Sequence, residues 1–241
     1  MRHPYIKQLA ACLACLFCGI SAAQSQTQSP VTIDTTEHFY VYHIDFSSIE
    51  LVCGTMPTDS NIIFCAEAAY TNKPFNAAFT HKKIAGDHVS HGKKYTGGKS
   101  PYFSGAFSYH GGRWHYAYNL KCDYASFLDS AAAGGGMGFC QSMVIHNREI
   151  VRQARPRIHQ VEYYRSLCEK DGQLMVIDTK EKVSFGRFLY MLVEYGVEEA
   201  IYMDMGSGWN HSWYRDAEGH VVNIFPKTHS CTTNWISFIK K

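Results

Sequence analysis

Ser184-Phe-Gly-Arg-Phe-Leu-Tyr-Met-Leu-Val-Glu-Tyr-Gly-Val-Glu-Glu-Ala-Ile-Tyr-Met-Asp204 is the stretch whose reading decides the fold. Phe185, Phe188, Leu189 and Leu192 recur at helical spacing, which predicts an amphipathic helix over Phe185 to Tyr195. Ser184 stands where an N-cap hydroxyl is wanted, and Gly196 where the chain must leave the helix. A strand follows over Ala200 to Met203 and ends at an acid, Asp204. Upstream, Leu174 to Asp178 reads as a strand. Strand, helix and strand form one crossover unit.

Outward from that unit the chain reads mostly as strands. Ser104 to Tyr109 and Arg113 to Tyr118 are separated by His110-Gly111-Gly112, a strong hairpin signal. Gln141 to His146 and Glu149 to Arg152, around Asn147-Arg148, predict a second hairpin. Phe39 to Phe46 and Ile49 to Cys53 read as paired strands about a short turn. Asn61 to Tyr70, short and alanine-containing, is expected to be helix. Cys122 to Ala133 reads as a helix ended by Gly134-Gly135-Gly136, and His81 to Ser100 as polar loop or irregular strand. The expected class is α+β: one domain, a mostly antiparallel or mixed sheet, and a few packed helices.

The N-terminus has a different character. Arg2 and Lys7 precede an apolar run from Leu9 to Ile20, and Ser21-Ala22-Ala23 offers small residues for cleavage. This is a secretory leader, expected over residues 1–23, and it is too short for a stable membrane span. A lipobox-like Leu9-Ala10-Ala11-Cys12 offers a lipid-anchored alternative, disfavoured by the short apolar stretch before the cysteine. Residues 24–36 read as a polar tether and 37–241 as the working domain. The expected location is the periplasm or cell surface.

Composition narrows the partners. A formal net charge of +2 on 241 residues, with scattered basic groups, does not imply nucleic acid. Sixteen Tyr, 14 Phe and 4 Trp suit a β-rich exported domain and, more weakly, stacking on sugars. Of nine cysteines, Cys12, Cys15 and Cys18 leave with the leader. Cys53, Cys65, Cys122, Cys140, Cys168 and Cys231 lack CxxC spacing, which argues against zinc and leaves disulfides and buried thiols both open. No GxSxG, P-loop, GxGxxG or HExxH occurs. His81, His88 and His91 lack matched carboxylate or thiol ligands and read as a solvated loop, so no metal is expected. Cys140 lies in an apolar run, where a thiol is ordinarily structural.

Three features carry chemistry. Asp204 is delivered to Gly206-Ser207-Gly208-Trp209, followed by His211 and Arg215, a loop whose backbone can approach a ligand. Glu67 sits among small apolar residues in Phe64-Cys-Ala-Glu67-Ala-Ala-Tyr70, a setting that raises a carboxyl pKa. Arg165 lies in an apolar strand, where its fork could hold a phosphate or carboxylate.

In order, Cys65-Ala-Glu67-Ala-Ala-Tyr70, Val89-Ser-His-Gly92, the Gly111-Gly112 hairpin, Arg165-Ser-Leu, Asp171-Gly172, the Ser184 helix and Tyr202-Met-Asp204-Met-Gly-Ser-Gly208 form a set. That set, spanning about residues 60 to 215, resembles the phosphodiester glycosidase family, specifically bacterial relatives of the N-acetylglucosamine-1-phosphodiester α-N-acetylglucosaminidase. The chain departs from the family pattern at Glu67 (usually Asn), at Ala68 and Ala69 (usually Gly), and at Met205. The resemblance implies a hydrolase cleaving the glycosidic bond of a sugar-1-phosphodiester, without redox cofactor or bound nucleotide. It assigns Asp204, Glu67 and Arg165 to catalysis, and Gly206, Ser207, Gly208, Trp209, His211 and Arg215 to substrate binding. The competing expectation is a non-catalytic carbohydrate-binding or cell-envelope protein on the same scaffold, with Trp209, Trp213 and Tyr214 as stacking surfaces. A weaker one is an exported hydrolase with Cys140 as nucleophile.

Overall fold

The computed structural model describes residues 29–71, 80–98, 102–119, 121, 123–152, 160–205, 211–224 and 232–241. The leader, Cys122, Cys231 and the Gly206-to-Asn210 loop lie outside them.

The described chain is mostly antiparallel β-structure. A seven-stranded sheet runs in the spatial order Val31–Thr35, Phe39–Ile44, Gln173–Thr179, Arg165–Lys170, Glu199–Tyr202, Met143–His146, Glu149–Ile150. A five-stranded sheet is ordered Val221–Asn223, Ser212–Arg215, Ile62–Glu67, Thr233–Ile239, Ser48–Gly54. A second five-stranded sheet is ordered Lys93–Tyr95, His88–Ser90, Met137–Gln141, Gly105–His110, Arg113–Tyr118. Val161–Glu162 and Val183–Ser184 form a small ribbon. No parallel pair occurs among the described strands, so of the expected antiparallel or mixed character only the first is seen. One apolar cluster draws on all three large sheets, from Val41 and Ile177 through Phe64 and Phe238 to Phe107 and Phe139.

The crossover unit is present, with one modification. Gln173–Thr179 and Glu199–Tyr202 both pair antiparallel with Arg165–Lys170, which lies between them. They therefore run in the same direction, joined through helix Phe185–Glu194. The Ser184 hydroxyl accepts from the Arg187 N–H, capping that helix, and Gly196 takes φ +87° just past its end. Phe188 packs edge-on against Phe39, with ring centroids 6.4 Å apart, and Phe185, Leu189 and Leu192 are buried beside it. The Gly105–His110/Arg113–Tyr118 hairpin turns through Gly111 and Gly112 at φ +58° and +75°, the left-handed pair that a two-residue turn demands. The Met143–His146/Glu149–Ile150 hairpin and helix Ala125–Ala133 also lie where the sequence placed them. Among the described residues no helix is long and apolar enough to cross a membrane.

Three expectations are corrected. Asn61 to Tyr70 is not helical: Ile62–Glu67 is a strand flanked on both sides, buried at every position. A strand covered on both faces loses the alternation that identifies strands. Phe39–Ile44 and Ser48–Gly54 are strands but do not pair. The first joins the seven-stranded sheet and the second lies against Thr233–Ile239. Phe46 and Ser47 carry the chain between sheets, Phe46 packing on Tyr109, Trp114 and Phe238 while the Ser47 N–H donates to Ile239 C=O. Finally, Val31–Thr35, placed in the polar tether, is an edge strand on Phe39–Ile44.

Candidate functional site

Two sheets meet where the helix-linked strand ends. The Met203 N–H donates to Arg165 C=O (3.1 Å), and the next N–H, that of Asp204, donates to Ala68 C=O (3.0 Å). Within two residues the chain passes from the end of an interior strand of one sheet to the end of a central strand in another. Asp204 is half-buried at this seam, and Glu67 and Arg165 are 2% and 1% exposed beside it. The three predicted catalytic residues are thus brought into one electrostatic neighbourhood, although Glu67 and Asp204 are far apart in sequence.

Glu67 has an unusual environment for a carboxylate. Among the described residues no side chain hydrogen-bonds either carboxyl oxygen, and the one polar group that reaches the carboxyl is the His211 backbone amide. Burial first, and then the negative charge of Asp204, push its pKa well above the ordinary carboxylate range. The Arg165 charge and the His211 backbone amide pull it back less strongly. The side chain is held toward its neutral, proton-donating form.

Arg165 is buried differently. Its Nε and Nη2 each donate to one oxygen of Asp178, both at 2.5 Å, in the fork-to-carboxylate geometry of a buried ion pair. Burial alone would lower the guanidinium pKa, but Asp178 outweighs it and the charge is retained. The face expected to clamp a phosphate is therefore committed to a carboxylate from the adjacent strand. The same pair, after burial itself, shapes the surroundings of Tyr42, whose phenol pKa is raised.

The backbone after Glu67 is held by Asn234. The Asn234 Oδ1 accepts from Ala69 N–H (2.7 Å), its Nδ2 donates to Ala69 C=O (2.8 Å), and its own carbonyl accepts from Ala68 N–H (3.3 Å). A buried amide thus fixes the two residues that present a carbonyl to Asp204. On the far side, the Tyr202 hydroxyl accepts from Met205 N–H (3.3 Å) and its ring lies 5.7 Å from Tyr70, walling the turn that leaves Asp204. Asp178, Asn234 and Tyr202 were not singled out from sequence. Asp178 had the signal used for Asp204, an acid closing an apolar strand. Asn234 has no local signal at all.

The predicted binding residues divide. Gly206, Ser207, Gly208 and Trp209 lie outside the described residues. His211 is 5% exposed and enters the Ser212–Arg215 strand beside Glu67. Arg215 has a structural role instead: its guanidinium donates to the carbonyls of Ile62, Gly219, Thr58 and Asp59 and lies over Trp213. Of the proposed stacking residues, Trp213 is 1% exposed and packs with Cys65 and Trp235.

Other candidate ligands are already engaged. His88, expected in a solvated loop, is fully buried. Its Nδ1–H donates to Gly86 C=O (3.0 Å), which leaves Nε2 to accept from His81 Nδ1 (3.1 Å), and burial lowers its pKa to about 4. Asp216, Glu218 and His220 gather within 4.8 Å on a turn. There the Asp216 carboxylate already accepts from the N–H groups of Glu218 and His220, which is turn chemistry. Cys65 is a buried free thiol whose pKa burial pushes up to about 12, the reverse of an activated nucleophile. Cys140 lies buried in the Met137–Gln141 strand, close against Gly86.

In sequence the chain matches no protein-family model and no curated protein. In structure it is similar to the catalytic domain of zebrafish N-acetylglucosamine-1-phosphodiester α-N-acetylglucosaminidase auto-inhibited by its pro-peptide. That match has a TM-score of 0.57 and 12% identity over 88% of this chain and 81% of the other. It is also similar to a hypothetical protein from Synechocystis, with a TM-score of 0.52 and 11% identity over 87% of this chain and 61% of that one. The relationship to the phosphodiester glycosidase fold is a distant structural one.

Proposed function

We propose that this chain is an exported hydrolase that cleaves the glycosidic bond of a sugar-1-phosphodiester at the seam between Glu67 and Asp204. The observation that carries the reading is the pairing of a buried carboxyl, Glu67, that no described side chain hydrogen-bonds, with a half-buried one, Asp204, beside a retained positive charge. A buried carboxyl held toward its neutral form beside a second, more accessible carboxyl is the usual equipment for glycosyl transfer to water. The distant likeness to a glycosidase scaffold supports the same class.

In this mechanism the bond between the anomeric carbon and the phosphate oxygen breaks, and its electron pair leaves with the phosphate monoester. Neutral Glu67 donates a hydrogen bond to the departing oxygen or to a ring hydroxyl. The Asp204 carboxylate would stabilise the sugar cation and take the proton of the water that attacks the anomeric carbon. Arg165 contributes as a fixed charge whose position Asp178 sets, not as a clamp on the phosphate. General acid or base groups of this kind contribute roughly 10²–10⁴-fold each. The mature protein should therefore hydrolyse GlcNAc-1-phospho-mannoside, and Asp204→Asn should lose about 10²-fold or more with an unchanged thermal melt. Undiminished turnover by that variant would remove Asp204 from the mechanism.

The second reading, carbohydrate binding without hydrolysis, draws on one observation: Arg165 spends both Nε and Nη2 on Asp178. It predicts that wild-type protein retains the substrate uncleaved.

A further inference from the structure

At the opposite end of the seven-stranded sheet lies an open cleft of about 340 Å³, with Thr32, His43, Asp45, Phe46, Trp114 and Gln173 among its lining residues. Gln173 opposes Lys170 at one end of the strand ladder, and Asp178 opposes Arg165 at the other. Five residues of extended chain separate the cleft from the Glu67 seam, roughly 17 Å at ~3.3 Å per residue. It is a different site.

Its construction narrows the ligand. Trp114 is half-buried, and its ring plane is fixed at two places. The indole N–H donates to Glu169 (2.9 Å), and the ring meets Phe46 at 6.3 Å between centroids. A tryptophan held by its edge offers a rigid aromatic wall at little entropic cost. The polar groups around it already have partners: His43 Nε2 lies 3.0 Å from Asp34, and Asp45 accepts from Lys240 at 2.6 Å. No arginine lines the cleft, which disfavours a phosphate or carboxylate ligand. The one acid among its lining residues, Asp45, is met by Lys240, which disfavours a cationic one. Gln173, exposed at the start of its strand, offers both donors and an acceptor. The volume is at the small end of ligand sites, which run from roughly 300 to 1,000 Å³. A neutral ligand with one apolar face and a hydroxyl-rich rim fits this set.

We propose that the cleft is a carbohydrate-binding subsite for a neutral pyranose unit, with Trp114 as platform and Gln173 as hydrogen-bonding partner. It stands independently of the catalytic reading, because none of its residues belongs to the seam. The test is protein NMR, following the Trp114 indole N–H of the mature chain during titration with cellotriose, chitotriose, maltotriose and mannotriose. At least one sugar should shift that resonance. Measured by isothermal titration calorimetry with the sugar that shifts it, the affinity should fall about tenfold or more in Trp114→Ala, and similarly in Gln173→Arg, which fills the cleft from an exposed position. Asp204→Asn should bind like wild type, separating this site from the catalytic one. The proposal is overturned if none of the four sugars moves the indole resonance. It is equally overturned if binding survives Gln173→Arg unchanged, a variant that stays informative even where Trp114→Ala does not fold.

Discussion

Arg165 and Glu67 are two ionisable side chains at one seam, 1% and 2% exposed, and their surroundings treat them in opposite ways. Arg165 meets a carboxylate that matches its fork, atom for atom, and keeps its charge. Glu67 meets apolar strand neighbours, a second acid and a guanidinium already committed elsewhere, and is driven toward neutrality. Burial is the same in both cases; the partners differ. A compensated buried charge fixes geometry, whereas an uncompensated one stores a proton in a place where water does not compete for it.

The largest effect expected from this contrast is at Asp178. Asp178→Ala leaves a buried guanidinium unpaired and should cost about 3–5 kcal/mol in urea unfolding. A loss below about 1 kcal/mol would mean that Arg165 finds other compensation, and the contrast with Glu67 would fail. Next comes Asn234→Ala, which removes both amide bonds to Ala69 from a buried position. A loss of about 1–3 kcal/mol is expected, with turnover reduced through misplacement of the Ala68 carbonyl that receives the Asp204 N–H. An unchanged melt and unchanged activity would show that the strand end holds itself.

The smallest effect has the opposite sign. The folded-state pKa of Glu67 lies above its unfolded value, so the native state binds the extra proton. Its burial therefore costs nothing below the unfolded value near ~4.3, and costs more as the pH rises from there toward the folded value. Glu67→Gln keeps the shape without the charge. It should raise Tm relative to wild type at pH 7 to 8, with the gain shrinking toward pH 4, while slowing hydrolysis. Thermal melts across that range decide it: a gain that does not depend on pH would assign Glu67 an ordinary packing role.

Much of the local structure was readable from residues alone. Ser184 and Gly196 bracket a helix because a hydroxyl cap and a left-handed exit are requirements of a few adjacent residues. Gly111 and Gly112 mark a hairpin for the same reason. Ile62–Glu67 escaped because burial on both faces leaves no periodicity to detect, and alanines then tilted the reading toward helix. Phe39–Ile44 and Ser48–Gly54 were both legible as strands, but their neighbours in sequence are not their neighbours in space. At the site, Glu67, Asp204 and Arg165 each had a local signal, a charge inside an apolar run. The partner that decides what Arg165 does, Asp178, showed the same kind of signal and was not joined to it. Arg215 looked like a ligand-binding group because three of the four carbonyls that occupy it come from residues more than 150 positions away.

The sequence by itself determined the helix that Ser184 and Gly196 bracket, the Gly111-Gly112 hairpin, and which charged residues stand in apolar runs, because those depend on contacts a few residues long. Only the tertiary structure decided which charge is compensated. Asp204 reaches Ala68, Arg165 reaches Asp178 and Asn234 reaches Ala69 through pairings between strands. The electrostatic character of a buried group is set by what surrounds it in three dimensions, and its own residue type fixes only the charge that has to be met.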